Sequence, residues 1–227
     1  MGTLSIVGTP IGNLGDITLR ALETLRQADV IACEDTRVTA RLLARYDIQK
    51  PLLIFHARSG KLASDRILAA LAEGKRVALV TDAGTPGISD PGNELVKIVR
   101  ERLKDEIRIE AIPGPSAVAA ALSIAGVHSD AFTFLGFLPH KKGRQTLFKE
   151  IAESERAVVF YESPHRIEKA LASLAEVLSE DRIVTVAREL TKIHESLIQG
   201  SAGEVAGYFT KHTDEVRGEF VVIVSPC

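Results

Sequence analysis

The sequence predicts an α/β protein with two domains, a parallel sheet in the first and a mixed sheet in the second. Three observations support this prediction: short β-branched runs alternate with segments of helical periodicity, the early runs are almost wholly apolar, and the pattern changes after residue 113. Near-continuous apolar runs are typical of strands buried on both faces of a parallel sheet. The length of 227 residues suffices for two domains, each with its own core.

Five strands are predicted in the first half. They are "LSIVG" (4–8), "DVIACED" (29–35), "LLIFH" (52–56), "RVALVTD" (76–82) and "IRIEAI" (107–112). Between them, helical spacing of Leu, Ile and Val occurs in "ITLRALETLRQA" (17–28), "RVTARLLARY" (37–46), "SDRILAALAEG" (64–74) and "GNELVKIVRERL" (92–103). Strands that alternate with helices in this way favour parallel pairing with helices on both faces.

The segment "PGPSAVAAALSIAG" (113–126) predicts a helix at the domain boundary, with domains at 1–113 and 114–227. Pro115 suits the first turn of this helix, and Ser116 could satisfy its free N–H groups. Four further strands are predicted beyond it: "FTFLGF" (132–137), "AVVFYES" (157–163), "RIVTVAREL" (182–190) and "EFVVIVSP" (219–226). Their alternating pattern predicts a mixed or antiparallel sheet.

Composition constrains the function and the location. The net charge of −2 gives no broad basic surface of the kind that dedicated nucleic-acid-binding domains carry, so any RNA contact should be a local patch. Cys33 and Cys227 make neither a metal motif nor a disulfide framework. No apolar run approaches the ~18 residues of a membrane span, and the N-terminus lacks the pattern of a leader. We therefore expect a cytoplasmic protein that binds no membrane and no metal.

Glycine and proline concentrate directly after three predicted strands. The clusters are "GTPIGN" (8–13), "DAGTPGISDPG" (82–92) and "PGPSA" (113–117). A dinucleotide fingerprint is disfavoured because its third position is Pro10, which has no N–H for a pyrophosphate, and no P-loop motif occurs. In open α/β sheets ligands bind beyond the carboxyl ends of the strands. The clusters therefore predict a pocket made of backbone and small side chains.

Seven segments together resemble one known family. They are "IVGTPIGNLGDITLRALETL" (6–25), "IACEDTR" (31–37), "ALVTDAGTPGISDPG" (78–92), "AIPGPSAVAAALSIAG" (111–126), "FLGFLP" (134–139), "FYESPHRI" (160–167) and "ARELTKIHE" (187–195). The chain resembles the tetrapyrrole-methylase superfamily from Leu4 to Val224 and, within it, the branch of 16S ribosomal RNA cytidine 2′-O-methyltransferases. One departure is "ARSGK" after His56, where members often have H-x-H-N.

The resemblance implies a two-domain homodimer that binds S-adenosylmethionine in the cleft between its domains, where the active site lies, and methylates a cytidine ribose in 16S rRNA of the small ribosomal subunit. It implies the following residues for the cofactor: Pro10, Asp82, Ala83, Gly84, Thr85 and Ile88 at the methionine and ribose, Ser116 and Ala117 at the methionine end, and Ala187 at the adenine.

Polar residues near strand ends are the candidates for catalysis and for RNA binding. The turn after the second strand carries the catalytic candidates Glu34, Asp35 and Arg37. The candidates for substrate binding are Lys141, Lys142, Arg144, His165, Arg166 and Glu189. A hydroxyl nucleophile needs a proton acceptor, and basic residues at a cleft neutralise phosphates. Glu162, His165 and Glu189 are the alternative acceptors if the Glu34 turn is structural.

Plainer interpretations remain open for these residues. Glu34 and Arg37 could form an ion pair that holds the turn, and the basic residues at 141–144 could be a solvated turn. For the whole protein, the alternatives to rRNA methylation are a small-molecule methylase acting on a tetrapyrrole or similar ring and a non-enzymatic nucleotide-binding or regulatory module.

Overall fold

The computed structural model describes residues 1–56 and 61–227, and "ARSG" (57–60) lies outside the described residues. The chain divides into two compact units, Met1–Ser116 and Ala117–Cys227. The division falls after Ser116, whereas the sequence prediction placed it after Pro113.

The first unit is built on a five-stranded parallel sheet. Its strands are β1 (Gly2–Val7), β2 (Val30–Cys33), β3 (Leu52–Ile54), β4 (Arg76–Leu79) and β5 (Ile107–Ile112). Their order is β3-β2-β4-β1-β5, and every neighbouring pair is parallel. The predicted parallel α/β sheet is confirmed. Because all strands run the same way, the segments after them meet at one edge of the sheet.

Helices cover both faces of this sheet, which explains the apolar strands. The helices are α1 (Leu19–Gln27), α2 (Thr36–Arg45), α3 (Lys61–Ala72) and α4 (Gly92–Leu103). Helices α1 and α2 pack on one face through a core that includes Leu25, Ile31 and Leu42. Helices α3 and α4 pack on the other face around Leu4, Ile67 and Leu95. The side-chain hydroxyl of Thr18 caps α1, as expected for an N-cap threonine.

The second unit contains a mixed five-stranded sheet. Its strands are β6 (Phe132–Phe137), β7 (Ala157–Glu162), β8 (Ile183–Arg188), β9 (Ser196–Ser201) and β10 (Phe220–Val224). The order is β6-β7-β10-β8-β9; β6 and β7 are parallel, and the other pairs are antiparallel. The predicted mixed sheet is confirmed. Strand β9 was not predicted, because "SLIQGS" is polar and contains glycine; it is held by six residue pairs with β8.

Helices α5 (Ala117–Ala125), α6 (Arg144–Ala152), α7 (Ile167–Val177) and α8 (Ala202–Lys211) complete the second unit. One face of the sheet packs under α6, α7 and α8 through a core that includes Phe148, Phe160 and Phe209. Helix α5 packs on β10 and β8. The predicted place of Pro115 in the first turn of α5 is wrong: the helix begins at Ala117, because Pro115 belongs to the loop after β5, where its carbonyl accepts the hydroxyl of Thr85.

Across the described residues, 1–56 and 61–227, none of the helices has the length and apolar character that crossing a membrane requires.

Candidate active site

The loops that follow β1 and β4 are joined by a short antiparallel bridge. The amide of Thr9 donates to the carbonyl of Gly84 (2.9 Å), and the amide of Gly84 donates back to Thr9 (3.2 Å). The Thr9 hydroxyl donates to the carbonyl of Thr81 (3.1 Å). Gly84 has a φ of +85°, a conformation that favours glycine. The bridge therefore fixes the glycine-rich loop beside the buried Pro10.

The end of β5 meets the same edge. A Cβ on Gly8 would lie 2.7 Å from the Cα of Gly114, so the two backbones are in direct contact and only glycine fits. The hydroxyl of Thr85 donates to the carbonyl of Pro115 (3.2 Å). The three glycine- and proline-rich clusters thus lie side by side at the carboxyl ends of β1, β4 and β5.

Asp90 organises the loop between β4 and α4. Its carboxylate accepts the amide of Gly87 (2.9 and 2.8 Å) and the amide of Gly92 (2.6 Å). The expected cofactor residues Asp82, Ala83 and Ile88 are exposed on this loop. The loop therefore presents backbone and small groups to solvent while an internal carboxylate holds its shape.

Glu34 follows the last residue of β2 and is half-buried. The hydroxyl of Thr81, two residues after the end of β4, donates to its Oε1. Burial raises the pKa of the Glu34 carboxyl above its usual value; the Thr81 hydrogen bond opposes the rise, and the charges of Asp82 and Asp90 add to it. A carboxylate with a raised pKa at a strand end is suited to accept a proton.

Asp35 has a different environment from its neighbour. It is the N-cap of α2, where it accepts the amide of Arg37 (2.8 Å), and the Arg37 guanidinium donates to both of its carboxylate oxygens. These hydrogen bonds lower the pKa of Asp35 to about 2. The alternative interpretation, an ion pair between Glu34 and Arg37, is wrong: Arg37 binds Asp35, because the cap places the Asp35 carboxylate against the first turn of α2.

In the second unit, Arg144 and Arg166 bind one buried carboxylate. Glu162, at the end of β7, is 1% exposed; its Oε2 accepts Arg144 (3.1 Å) and its Oε1 accepts Arg166 (2.7 Å). Arg144 also donates to the carbonyl of Pro139 (3.1 Å), and Arg166 to that of Leu138 (2.9 Å). The prediction that Arg144 belongs to an exposed basic patch is therefore wrong, since its guanidinium neutralises Glu162 inside the fold.

Lys141, Lys142 and His165 are exposed near these arginines in the chain. Lys141 and Lys142 lie in the turn that leads into α6, and His165 lies in the turn before α7, which begins at Ile167. Because β6 and β7 are parallel neighbours, both turns follow the same edge of the sheet. Two exposed lysines and an exposed histidine thus lie at that edge, whereas Arg144 and Arg166 hold it from within.

The residues after β8 form a second polar network. Glu189 accepts the ammonium of Lys192 (2.8 Å) and the amide of Glu219 (2.9 Å). The Lys192 hydrogen bond and its charge keep the pKa of Glu189 below its usual value even though burial opposes the shift. Glu189 has a φ of +51°, which its fixed contacts maintain. Because the Glu189 carboxylate already accepts hydrogen bonds from a lysine and an amide, and its pKa is lowered, Glu189 is a poor proton acceptor.

The other expected cofactor residues lie at element ends or within the sheet. Ser116 is the last residue of the first unit, and Ala117 begins α5 in the second; both are half-buried. Ala187 is fully buried on β8, opposite Val221 of β10 and Leu197 of β9. Among residues 1–56 and 61–227, no group of three His, Cys, Asp or Glu side chains is arranged to hold a metal ion.

Comparison with known proteins agrees with this architecture. The family model for Tetrapyrrole (Corrin/Porphyrin) Methylases matches residues 3–206. This chain belongs to the tetrapyrrole methylase family. A solved structure of the methyltransferase CobJ is similar to it with a TM-score of 0.74 at 20% identity, covering all of this chain and 95% of that one.

Two curated relatives of this family member share far more sequence with it. It is 46% identical over 225 residues to the ribosomal RNA small subunit methyltransferase I of Thermotoga maritima, covering 99% of both chains. It is also 46% identical to the protein of the same name from Escherichia coli O157:H7, covering 98% of this chain and 77% of that one. The resemblance deduced from the motifs is thereby confirmed.

The family member's site includes residues that sequence reasoning did not select. Thr81 binds Glu34, Thr9 bridges to the glycine loop, and Asp90 shapes that loop. The sequence signal for them was modest: each lies within a quoted motif at a strand end, yet a hydroxyl or a carboxylate there has no partner that the sequence alone identifies. The partners of Thr81 and Thr9 follow other strands, and those of Asp90 are backbone amides of its own loop.

Proposed function

We propose that this protein is an S-adenosylmethionine-dependent methyltransferase that methylates the ribose 2′-hydroxyl of a cytidine in 16S rRNA. The observation that carries the proposal is the half-buried Glu34, with its raised pKa, at the edge where the three glycine-rich loops meet. The relatives that are 46% identical carry the name of an rRNA methyltransferase of the small subunit. The cytidine and the 2′ position come from the motif resemblance.

The first unit suits the cofactor by the chemistry of its groups. S-adenosylmethionine, when bound, supplies an activated methyl group on a positively charged sulfonium. The exposed carboxylate of Asp82 and the half-buried Glu34 make the strand edge negative, which favours a cation. Pro10 and the loop from Ala83 to Ile88 offer backbone and small side chains, and such a surface binds by close backbone approach. Ser116 of the first unit and Ala117 and Ala187 of the second complete the proposed cofactor residues.

The chemistry requires a group to take the hydroxyl proton while the ribose is held in line. Glu34 fills this role in the proposal, because its raised pKa makes its carboxylate a stronger base than an ordinary glutamate, whereas the pKa of Asp35 is lowered to about 2. Asp35 caps α2 and holds Arg37, whose largely exposed guanidinium retains donors for an RNA phosphate.

The RNA-binding residues in the proposal are Lys141, Lys142 and His165, supported by Arg166 and by the buried Arg144. Replacing both Lys141 and Lys142 by Ala should lower the slope of log affinity against log salt by about 0.7 to 0.9 for each phosphate that the variant no longer neutralises. Fluorescence anisotropy of a labelled rRNA fragment at several salt concentrations measures this slope.

The matched control replaces Lys97 and Lys149, which are exposed on α4 and α6, by Ala. This variant removes the same net charge and should keep the slope of the unmodified protein. Equal slopes in the two double variants would assign Lys141 and Lys142 to solvent.

The proposal includes a homodimer in the cytoplasm, where ribosomal subunits are made. Two-fold dimers are the commonest homo-oligomers. Light scattering should give about twice the chain mass of 24.5 kDa. A monomer that persists at micromolar concentration would contradict this part.

The test of the function is methyl transfer to a defined substrate. Tritiated S-adenosylmethionine is incubated with the protein and with 30S subunits from a strain that lacks the modification, and the labelled nucleotide is mapped. Label is expected on the ribose of one cytidine of 16S rRNA. Label on a porphyrinogen, with none on rRNA, would favour the small-molecule methylase. Cofactor binding without transfer to either substrate would favour a binding module.

A further inference from the structure

The open face of β6 carries a row of aromatic side chains. Leu135 packs into the core under α6, α7 and α8, so its neighbour Phe134 lies on the opposite face of the sheet. On that face Phe134 contacts Tyr161 edge-on, with ring centroids 5.0 Å apart. Phe137 contacts Tyr161 at 5.4 Å and is itself 56% exposed. Large aromatic groups are thus presented to solvent on an edge strand.

A backbone irregularity places Phe137 in this row. The register between β6 and β7 shifts between Phe134 and Phe137, and Phe137 pairs opposite Tyr161. Gly136 has a φ of +63° at the shift, which glycine adopts without cost. Such bulges redirect a side chain from the face it would otherwise occupy. Without the shift, Phe137 would lie on the same face as Leu135, toward the core.

Tyr161 gives the row a fixed base. Its ring is half-buried and touches both phenylalanines, and the backbone of Val118 at the start of α5 lies near its hydroxyl. The chain directly after Phe137 is also anchored, since the carbonyls of Leu138 and Pro139 accept the two arginines that bind Glu162. The exposed ring is therefore preorganised on a rigid support.

Two lysines follow the aromatic row at once. Lys141 and Lys142 are exposed, four and five residues after Phe137, and the exposed imidazole of His140 comes directly before them. A surface that combines exposed aromatic rings with adjacent cations is the arrangement by which proteins hold single-stranded nucleic acid: the rings stack bases and the cations contact phosphates.

We propose that Phe137, supported by Tyr161 and Phe134, is a stacking platform for an unpaired base of the RNA substrate. The inference rests on the proposed rRNA methylation and adds the group that receives a base. Stacking is largely independent of base identity. The platform therefore holds the strand in place, and the ammonium groups of Lys141 and Lys142 fix its backbone.

The first test uses binding of a fluorescein-labelled 12-nucleotide oligocytidylate. Phe137→Ala and Phe137→Leu both remove the π face, and Leu keeps most of the apolar volume in case Ala disturbs the fold. Each should weaken binding roughly 5- to 150-fold, the range measured for loss of one stacked base. Unlike the lysine substitutions, they should leave the salt slope unchanged. Phe132→Ala is the matched control: the same residue type, 42% exposed, at the far end of β6.

The second test uses tryptophan as a probe, because the chain contains none. Phe137→Trp should retain affinity, and its fluorescence should be quenched when the oligonucleotide binds, whereas Phe132→Trp should show no quenching. Unchanged affinity in folded Phe137→Leu, or no quenching in Phe137→Trp, overturns the platform. A dimer that becomes monomeric in Phe137→Leu also overturns it and assigns the face to self-association.

Failure of the proposed function gives a different pattern. If the unmodified protein transfers no methyl group to 30S subunits, the function is wrong whatever the oligonucleotide shows. If it methylates 16S rRNA and the Phe137 variants do so at the same single-turnover rate and affinity, only the platform is wrong.

Discussion

Replacing Glu34 by Gln should slow single-turnover methyl transfer to 30S subunits by about 10² to 10⁴-fold, the usual contribution of a general base. Gln keeps the size of the side chain and can still accept the Thr81 hydroxyl. It cannot take a proton. Rapid-quench measurement with saturating S-adenosylmethionine and excess protein isolates the chemical step from product release.

The matched control for this variant is Asp35→Asn at the next position. Asn caps helices about as well as Asp, so α2 should persist, while the ion pair with Arg37 is removed. Because Asp35 then no longer holds Arg37 in place for an RNA phosphate, we expect a weaker affinity for RNA. The chemical rate should stay close to that of the unmodified protein. If Glu34→Gln keeps the full rate, Glu34 is structural. A large loss of rate in Asp35→Asn alone would transfer the role to Asp35.

The pH profile of the unmodified protein provides an independent measure of the same group. A general base works ionised, and the pKa of Glu34 lies above its usual value; the rate should therefore fall on acidification at a higher pH than an ordinary glutamate would give. Because the folded-state pKa is raised, ionisation costs stability as the pH rises through it. Glu34→Gln should thus be at least as stable as the parent at neutral pH, which separates a loss of chemistry from unfolding.

Replacing Glu162 by Gln should lower the free energy of unfolding by about 3 to 5 kcal/mol, because it leaves two arginines without their shared counter-ion in the interior. The side chain of Glu162 is fully buried, and those of Arg144 and Arg166 are 8% and 18% exposed. Both arginines also hold carbonyls of the loop after β6. Urea denaturation followed by circular dichroism measures the change.

Glu168→Gln is the control for Glu162→Gln. Glu168 is exposed in the first turn of α7, six residues further along the chain, and its replacement removes the same charge. We expect a change within about 0.5 kcal/mol, as for most surface substitutions. A shift equally small for Glu162→Gln would mean that the two arginines relax toward solvent, and that the buried network does not stabilise the loop.

The sequence by itself determined the architecture of the first unit. Apolar runs such as "RVALV" predict strands that are buried on both faces. With the periodic helices between them, they favour a parallel sheet that helices cover on both sides. Parallel strands bring their carboxyl ends to one edge. The positions of the three glycine-rich clusters, and of Glu34 and Asp35, therefore followed from the strand assignment alone.

Tertiary structure decided which groups are partners and which remain available. Glu34 binds Thr81, 47 residues away, and Arg37 binds Asp35. From the sequence spacing, a pair between Glu34 and Arg37 was as plausible as the pair between Asp35 and Arg37. The sequence predicts that Arg144 is part of an exposed basic patch. In the fold, the end of β7 places Glu162 against it, and the two side chains form a buried hydrogen bond. Periodicity predicts which face of an element is buried, because the spacing of apolar residues within that one element marks the face. Charge pairing depends on two elements at once, and only the assembled fold specifies both.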